Sequence, residues 1–181
     1  AALPEEAMRD VKGRRLGFFP GSTIGNFTRS DAADFMALIR SVMGPGGALL
    51  IGVDLKKDEA RLNAAYNDAA GYTAAFNLNL LHRMKRELGA ELDPDAFEHV
   101  AFYNDAEGRV EMHLRSLKAQ TIRIGSDSFD LAAGEQVHSE NSHKYGIEEF
   151  TAVAQRAGFE SAAVWTDPDN LFSIHYLTIP G

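Results

Sequence analysis

Glu140 and Ser142 stand two residues apart in a polar stretch running from Gly134 to Tyr145. If the stretch is extended, side chains alternate between faces, and His138, Glu140 and Ser142 share one. A carboxylate only accepts hydrogen bonds, whereas a hydroxyl accepts or donates. Such a pair suits recognition of a nitrogen-bearing group. Two histidines beside a glutamate also raise the question of a metal. His138 and His143 have opposite parity in a strand, however, and do not stand at helical i, i+4 spacing. With no third ligand clustered beside them, no metal site is expected.

A second group of chemistry-bearing residues lies in Phe18-Phe19-Pro20-Gly21-Ser22-Thr23-Ile24-Gly25-Asn26-Phe27. The apolar run Leu16 to Phe19 stops at Pro20-Gly21, and small hydroxyl residues, a second glycine and an amide follow. A loop of this texture at a strand end is how open α/β sheets build ligand crevices. Glycine lets backbone approach a ligand closely. Asn26 offers donors and an acceptor, and its position suits a ligand clamp and a helix-cap neighbour equally. Asn63, Tyr66, Asn67 and Ala70 fall at i, i+3, i+4 and i+7, one helix face whose polarity reads first as solvent-facing. Met112 belongs to an alternating strand, where core packing is its default role. Asp54 ends an apolar run and fits a helix cap or a site acid.

The elements that must position these residues follow from periodicity. Residues 15–19 read as a strand and 30–43 as a helix with Ser30 as N-cap. The turn Gly44-Pro45-Gly46-Gly47 leads into Ala48 to Val53, an apolar run of the kind covered on both faces. Strand, helix, strand favours a parallel pair. Asp58 to Ala70 and Thr73 to Leu88 read as helices, with Phe76, Leu80, Leu81, Met84 and Leu88 forming a core stripe in the second. Glu98 to Tyr103, Arg109 to Ser116, Gln120 to Ile124 and Ser128 to Leu131 read as an antiparallel meander. Ile147 to Ala157 is a helix closed by Gly158, and Ser161 to Thr166 and Phe172 to Ile179 flank the turn Asp167-Pro168-Asp169-Asn170. An α/β frame therefore opens and closes the chain around a β-rich insertion.

Composition narrows the classes. The chain has 181 residues, 45% hydrophobic and 24% charged, enough for one domain with a sizeable core or two small ones. A net charge of −8 opposes a nucleic-acid partner, and the absence of cysteine excludes disulfides and thiolate metal sites. No run reaches transmembrane length and no signal-peptide pattern opens the chain, so no membrane partner is expected and the cytoplasm is the default setting. No Gly-x-Gly-x-x-Gly loop follows a first strand, and no P-loop occurs. The chain opens Ala1-Ala2-Leu3 without an initiator methionine, which reads as a processed, cut or truncated product.

Five segments in order carry a resemblance: Gly21 to Asn26; Tyr66 to Gly71 with Thr73 to Asn77; Phe97 to Ala101; Glu111 to Ser116; and Glu140 to Tyr145. Together they resemble the C-terminal part of the histidine-specific, S-adenosylmethionine-dependent methyltransferases, which make trimethylhistidine in ergothioneine biosynthesis. The resemblance implies the C-terminal half of a class I, Rossmann-like methyltransferase sheet with an inserted α+β substrate domain. Residues 1–57 would hold sheet strands four and five, 58–145 the substrate domain, and 146–181 the closing helix and antiparallel hairpin. It implies that Asn26 holds the amino acid's backbone end and Tyr66 its carboxylate, both acting at the catalytic centre. Glu140 and Ser142 would bond the imidazole, Met112 would pack beside it, and Gly21 and Ser22 would touch S-adenosylmethionine.

The family's first strand, its Gly-rich cofactor loop and its ribose-binding acid precede the matching segment. The chain by itself is accordingly expected to bind the methyl donor poorly and to be inactive, and its exposed sheet edge offers a route to self-association. A non-catalytic assembly module on the same frame, and a methyltransferase for another small amine, are the alternatives.

Overall fold

A computed structural model describes residues 13–181. Residues 1–12, including the opening Ala1-Ala2-Leu3, lie outside the described residues. The chain runs β1 (Leu16–Phe19), α1 (Arg29–Met43), β2 (Ala48–Asp54), α2 (Glu59–Tyr66), α3 (Tyr72–Leu88), β3 (Phe97–Asn104), β4 (Arg109–Ser116), β5 (Gln120–Ile124), β6 (Asp127–Leu131), β7 (Gln136–His143), α4 (Ile147–Arg156), β8 (Glu160–Thr166) and β9 (Phe172–Thr178). It divides into two compact units, one ending at Lys56 and resuming from His143 to Gly181, the other Lys57–Ser142. Among the described residues no helix is long and apolar enough to cross a membrane.

The first unit is built on a four-stranded sheet of order β1-β2-β9-β8. β1 and β2 run parallel with Leu16 opposite Ala48 and Phe19 opposite Ile51, as the strand-helix-strand order predicts. β9 runs antiparallel to both β2 and β8, so the last strand is inserted between two strands of common direction. That is the order implied for the C-terminal half of a class I methyltransferase sheet. The Ala48–Val53 run is apolar because Leu49, Ile51 and Val53 bury completely against Ala32 and Met36 of α1 and Phe150 and Val153 of α4. Each such side chain contributes about 1.5–3 kcal/mol by leaving water. α1 starts one residue earlier than predicted. Thr28, not Ser30, caps it, because the Thr28 backbone is extended and its Oγ1 accepts from Asp31 N at 3.2 Å.

The second unit places α2 and α3 with a three-stranded sheet of order β3-β4-β7 and a separate β5-β6 hairpin. The expected single meander is therefore two sheets. Ser116 is the cause: its Oγ donates to Lys118 O at 2.7 Å, turning the chain, and its backbone bonds to Gly134 and Glu135. Leu81, Phe97, Leu114, Ile122 and Leu131 form the core. Phe76 and Leu88, expected in the core stripe of α3, are instead 63% and 60% exposed. The helix predicted to reach Ala70 stops at Tyr66, where Asn67 leaves helical φ/ψ and its Nδ2 folds back onto Asn63 O at 2.8 Å. Asp68 then accepts from Tyr72 N and Thr73 N at 2.9 and 2.8 Å to start α3. Those amides hold the Asp68 carboxyl down at about 2.

Candidate functional site

The predicted loop closes β1 in the first unit with a tight, unusual backbone. Gly21 and Ser22 both have positive φ, 76° and 56°, and the serine is one of two such non-glycine residues described. A left-handed serine costs about 1–2 kcal/mol, and it is held there because Ser22 Oγ accepts from Asp54 N at 2.8 Å. The short 3₁₀ turn Thr23–Asn26 then buries Ile24 and leaves Asn26 exposed. Gly25 lies against the backbone of His143, where a Cβ would come within 2.8 Å of the carbonyl oxygen.

Asp54 is not a helix cap, since Asp58 caps α2. The Asp54 carboxylate pairs with Lys144 Nζ at 2.7 Å, and Lys144 is buried. The backbones of Asp54 and Tyr145 are joined by Tyr145 N to Asp54 O at 3.1 Å. Loop, β2 end and residues 143–145 are thereby tied into one assembly within this unit. Removing one partner of the buried pair would strand a charge. Beside Gly21 a small apolar hollow of about 110 Å³ is lined by Phe18, Gly52, Phe172 and Ile174. A Cβ on Gly21 would meet nothing within 4 Å, so the loop is open where a cofactor contact is implied, whereas a Cβ added to Gly52 would come within 2.7 Å of Phe172 Cζ.

Tyr66, Met112, Glu140 and Ser142 belong to the second unit. The Tyr66 hydroxyl donates to Ser142 Oγ at 2.7 Å, bringing together residues 76 positions apart in the chain. The α2 face that reads as solvent-facing has two other tasks. Asn63 Oδ1 accepts from Tyr103 N at 2.7 Å and Asn67 Nδ2 donates to Ala101 O at 3.1 Å, satisfying the open edge of β3. Ala70 lies beyond the helix and joins neither. β7 is a strand throughout, so Glu140 and Ser142 share a face as expected of an extended segment. Met112 is buried in β4, and its carbonyl accepts from Ser139 Oγ at 2.9 Å. Behind these residues stand Asn77, His99 and Ser139, which sequence reasoning missed. The available signal was Asn77, a polar residue four before Leu81 on the buried stripe of α3.

The structure also gathers a group not foreseen from spacing. Glu111 and His113 come from β4 to His138 on β7, with one ligand atom of each within 4.8 Å of the others. The surroundings favour an ion-pair clamp over a metal. Arg109 Nη2 already lies 2.8 Å from the Glu111 carboxylate, and Asn104 donates to it at 3.0 Å. The His113 and His138 rings stack at 4.5 Å and 17°, so their in-plane lone pairs run side by side instead of converging. Burial pushes the Glu111 carboxyl up, but hydrogen bonds from Arg109, Asn104 and His113 outweigh it and hold it at about 2. An open groove of about 400 Å³ lined by Leu80, Met84, Leu88, Val137 and His138 lies elsewhere on this unit, and none of the four predicted residues lines it.

Comparison with known proteins agrees with the resemblance. Residues 2–179 match the family described as histidine-specific methyltransferase, SAM-dependent. A histidine N-alpha-methyltransferase of Mycolicibacterium smegmatis is 47% identical over 164 residues, which is 90% of this chain and 51% of the relative. One of Mycobacterium tuberculosis is 45% identical over 174 residues, 94% of this chain and 54% of the relative. The ergothioneine biosynthesis protein 1 of Neurospora crassa is 35% identical over 159 residues, 87% of this chain and 18% of the relative. The chain thus spans about half the length of the two bacterial relatives. A match over nearly all of its residues settles the family: this chain belongs to the histidine-specific, S-adenosylmethionine-dependent methyltransferases.

Proposed function

We propose that the complete protein transfers methyl groups from S-adenosylmethionine to the α-amine of histidine, giving trimethylhistidine. The two bacterial relatives bear the name of that activity and share 47% and 45% of the aligned residues. The observation that carries the reading is the Tyr66–Ser142 hydrogen bond on the strand that also bears Glu140. The Ser142 hydroxyl, which can donate, and the Glu140 carboxylate, which accepts, stand on one face of that strand. A donor paired with an acceptor matches neutral imidazole, which offers one nitrogen lone pair and one N–H.

S-adenosylmethionine supplies a sulfonium methyl that is already activated for transfer. Gly21 and Ser22 are the residues of this chain we assign to its contact, on the open side of the loop. The chain's remaining task is orientation, which is worth about 7–11 kcal/mol in favourable cases. We assign Asn26 to the amino acid's backbone end and Tyr66 to its carboxylate, with Met112 packing beside the ring. The amine must be neutral to react, and leaving water lowers its pKa. After methylation the cation can rest against the Tyr66 ring.

The test is incubation of the complete protein with both substrates, with product identified by mass spectrometry. Trimethylhistidine is the expected product. Methylation of another amine, or none, would overturn the reading. Glu140→Ala is expected to raise the histidine KM by about tenfold or more with kcat largely kept, since Glu140 reads the ring and not the reacting nitrogen.

A further inference from the structure

Three side-chain hydrogen bonds in the second unit meet at Asn77, a fully buried amide on α3. Its Nδ2 lies 3.0 Å from His113 O and 3.0 Å from His99 Nδ1. Its Oδ1 accepts from Ser139 Oγ at 2.7 Å. His99 continues the chain through Nε2, 2.9 Å from Tyr66 O.

The pattern of protons in this chain is forced from its ends. A backbone carbonyl only accepts. His113 O therefore requires the NH₂ side of the Asn77 amide, which fixes the amide's orientation. The second hydrogen of that NH₂ meets His99 Nδ1, so Nδ1 must be the bare, accepting nitrogen. Nε2 then carries the ring proton and donates to Tyr66 O, again an obligate acceptor. Both ends agree on one arrangement, with His99 neutral and protonated at Nε2. On the other side, Ser139 Oγ has one hydrogen for two acceptors, Asn77 Oδ1 and Met112 O, at 2.7 and 2.9 Å.

The points this network touches are the points that matter for the pocket. It grips the backbone of Tyr66 at the end of α2, of Met112 and His113 on β4, and the Ser139 side chain on β7, next to Glu140. We propose that Asn77 and His99 are positioning residues that set the spacing between Tyr66 and the Glu140–Ser142 strand, and through it selectivity for an imidazole-bearing amino acid. Neither touches substrate; both act through the elements they hold together. This rests on the reading above that Tyr66, Met112, Glu140 and Ser142 line the histidine site.

The variants are Asn77→Asp, which keeps the shape but faces an acceptor toward His113 O; His99→Phe, which removes both ring bonds; and His99→Gln, which can restore the donor to Tyr66 O. They are made in the complete protein. Loss of a buried hydrogen bond of this kind is expected to raise the histidine KM about tenfold in N77D and H99F, with the S-adenosylmethionine KM unchanged and H99Q partly rescued. A lowered melting temperature with both KM values unchanged, or both raised together, would reduce the network to general core structure and overturn the proposal. Should the variants fail to fold, ¹⁵N NMR of the wild-type imidazoles decides: His99 is expected as the Nε2–H tautomer, and an Nδ1–H signal overturns the network as drawn. Wild-type protein that turns over no histidine would instead overturn the functional reading, and with it the selectivity role.

Discussion

Gly25 is the residue on which the loop geometry turns. An added Cβ would sit 2.8 Å from His143 O and 3.4 Å from His143 N, and backbone atoms cannot swing aside as a side chain would. Gly25→Ala is expected to destabilise by about 1–3 kcal/mol and to shift the turn carrying Asn26, read as a lower melting temperature with a raised histidine KM. Gly21→Ala poses the opposite problem, open space but a φ of 76°, and is expected to cost about 1 kcal/mol. Equal effects would show that crowding at His143 is not what Gly25 relieves. Both glycines are legible in the sequence. Which of them answers to crowding is not, because the crowding atom belongs to a residue far along the chain. Glu111 makes a similar point through charge. Its folded carboxyl sits at about 2 against an ordinary 4.5, so its contribution is complete above pH 4.5 and is lost as pH falls toward 2. Side-chain carbon NMR of Glu111 is expected to show no titration at pH 4, where an ordinary glutamate is half or more protonated.

Helix α2 shows how an element is fixed by what it covers. β3 is an edge strand, and its outward amide at Tyr103 and carbonyl at Ala101 are met by Asn63 and Asn67, one helical turn apart. Asn63→Ala is expected to cost roughly 1 kcal/mol locally and to speed hydrogen exchange of the Tyr103 amide about fivefold. Unchanged protection of Tyr103 would mean the contact is not made in solution. Periodicity placed α2 and both neighbouring strands, and it put Asn63, Tyr66 and Asn67 on one face. It could not say that the face meets a sheet edge, since an amide facing water and one facing a strand backbone look alike in sequence. The same limit explains the meander. Alternation located β3, β4, β5 and β6, but their division into two sheets depends on Ser116 bonding to residues 118, 134 and 135. Where pattern is local it was readable; where partners are distant, as for Asn77 and His99, only the fold supplied them.

At the scale of the whole molecule the first unit differs from the second in one titrating group, a buried imidazole whose window lies above that of the carboxylates held low in both units. In the first unit His175 is fully buried, its Nε2 lies 3.0 Å from Ser173 Oγ, and Phe150 stands edge-on to the ring. Ser173 Oγ lies 3.3 Å from Val53 O, so the serine gives its own proton there and receives one from His175 Nε2. Nδ1 is left bare in an apolar setting, and a proton on it would be a buried charge. Burial accordingly pushes the imidazole down from 6.5 to about 4. Because the folded value is the lower one, the unfolded chain binds more protons between these limits. The stability His175 confers is complete above pH 6.5 and is lost as pH falls through 4, a span worth roughly 3 kcal/mol. In the second unit, Asp68 and Glu111 are both held at about 2 and lose their contributions only below pH 4.5. Acid should therefore weaken the first unit before the second. With the complete protein followed by NMR through an acid titration, amide signals of residues 172–178 are expected to weaken at higher pH than those of residues 109–116. His175→Gln, which keeps a donor for Ser173 but cannot titrate, should bring the two transitions together. Coincident transitions in the wild type, or an unchanged gap in the variant, would show that the buried imidazole does not set the order.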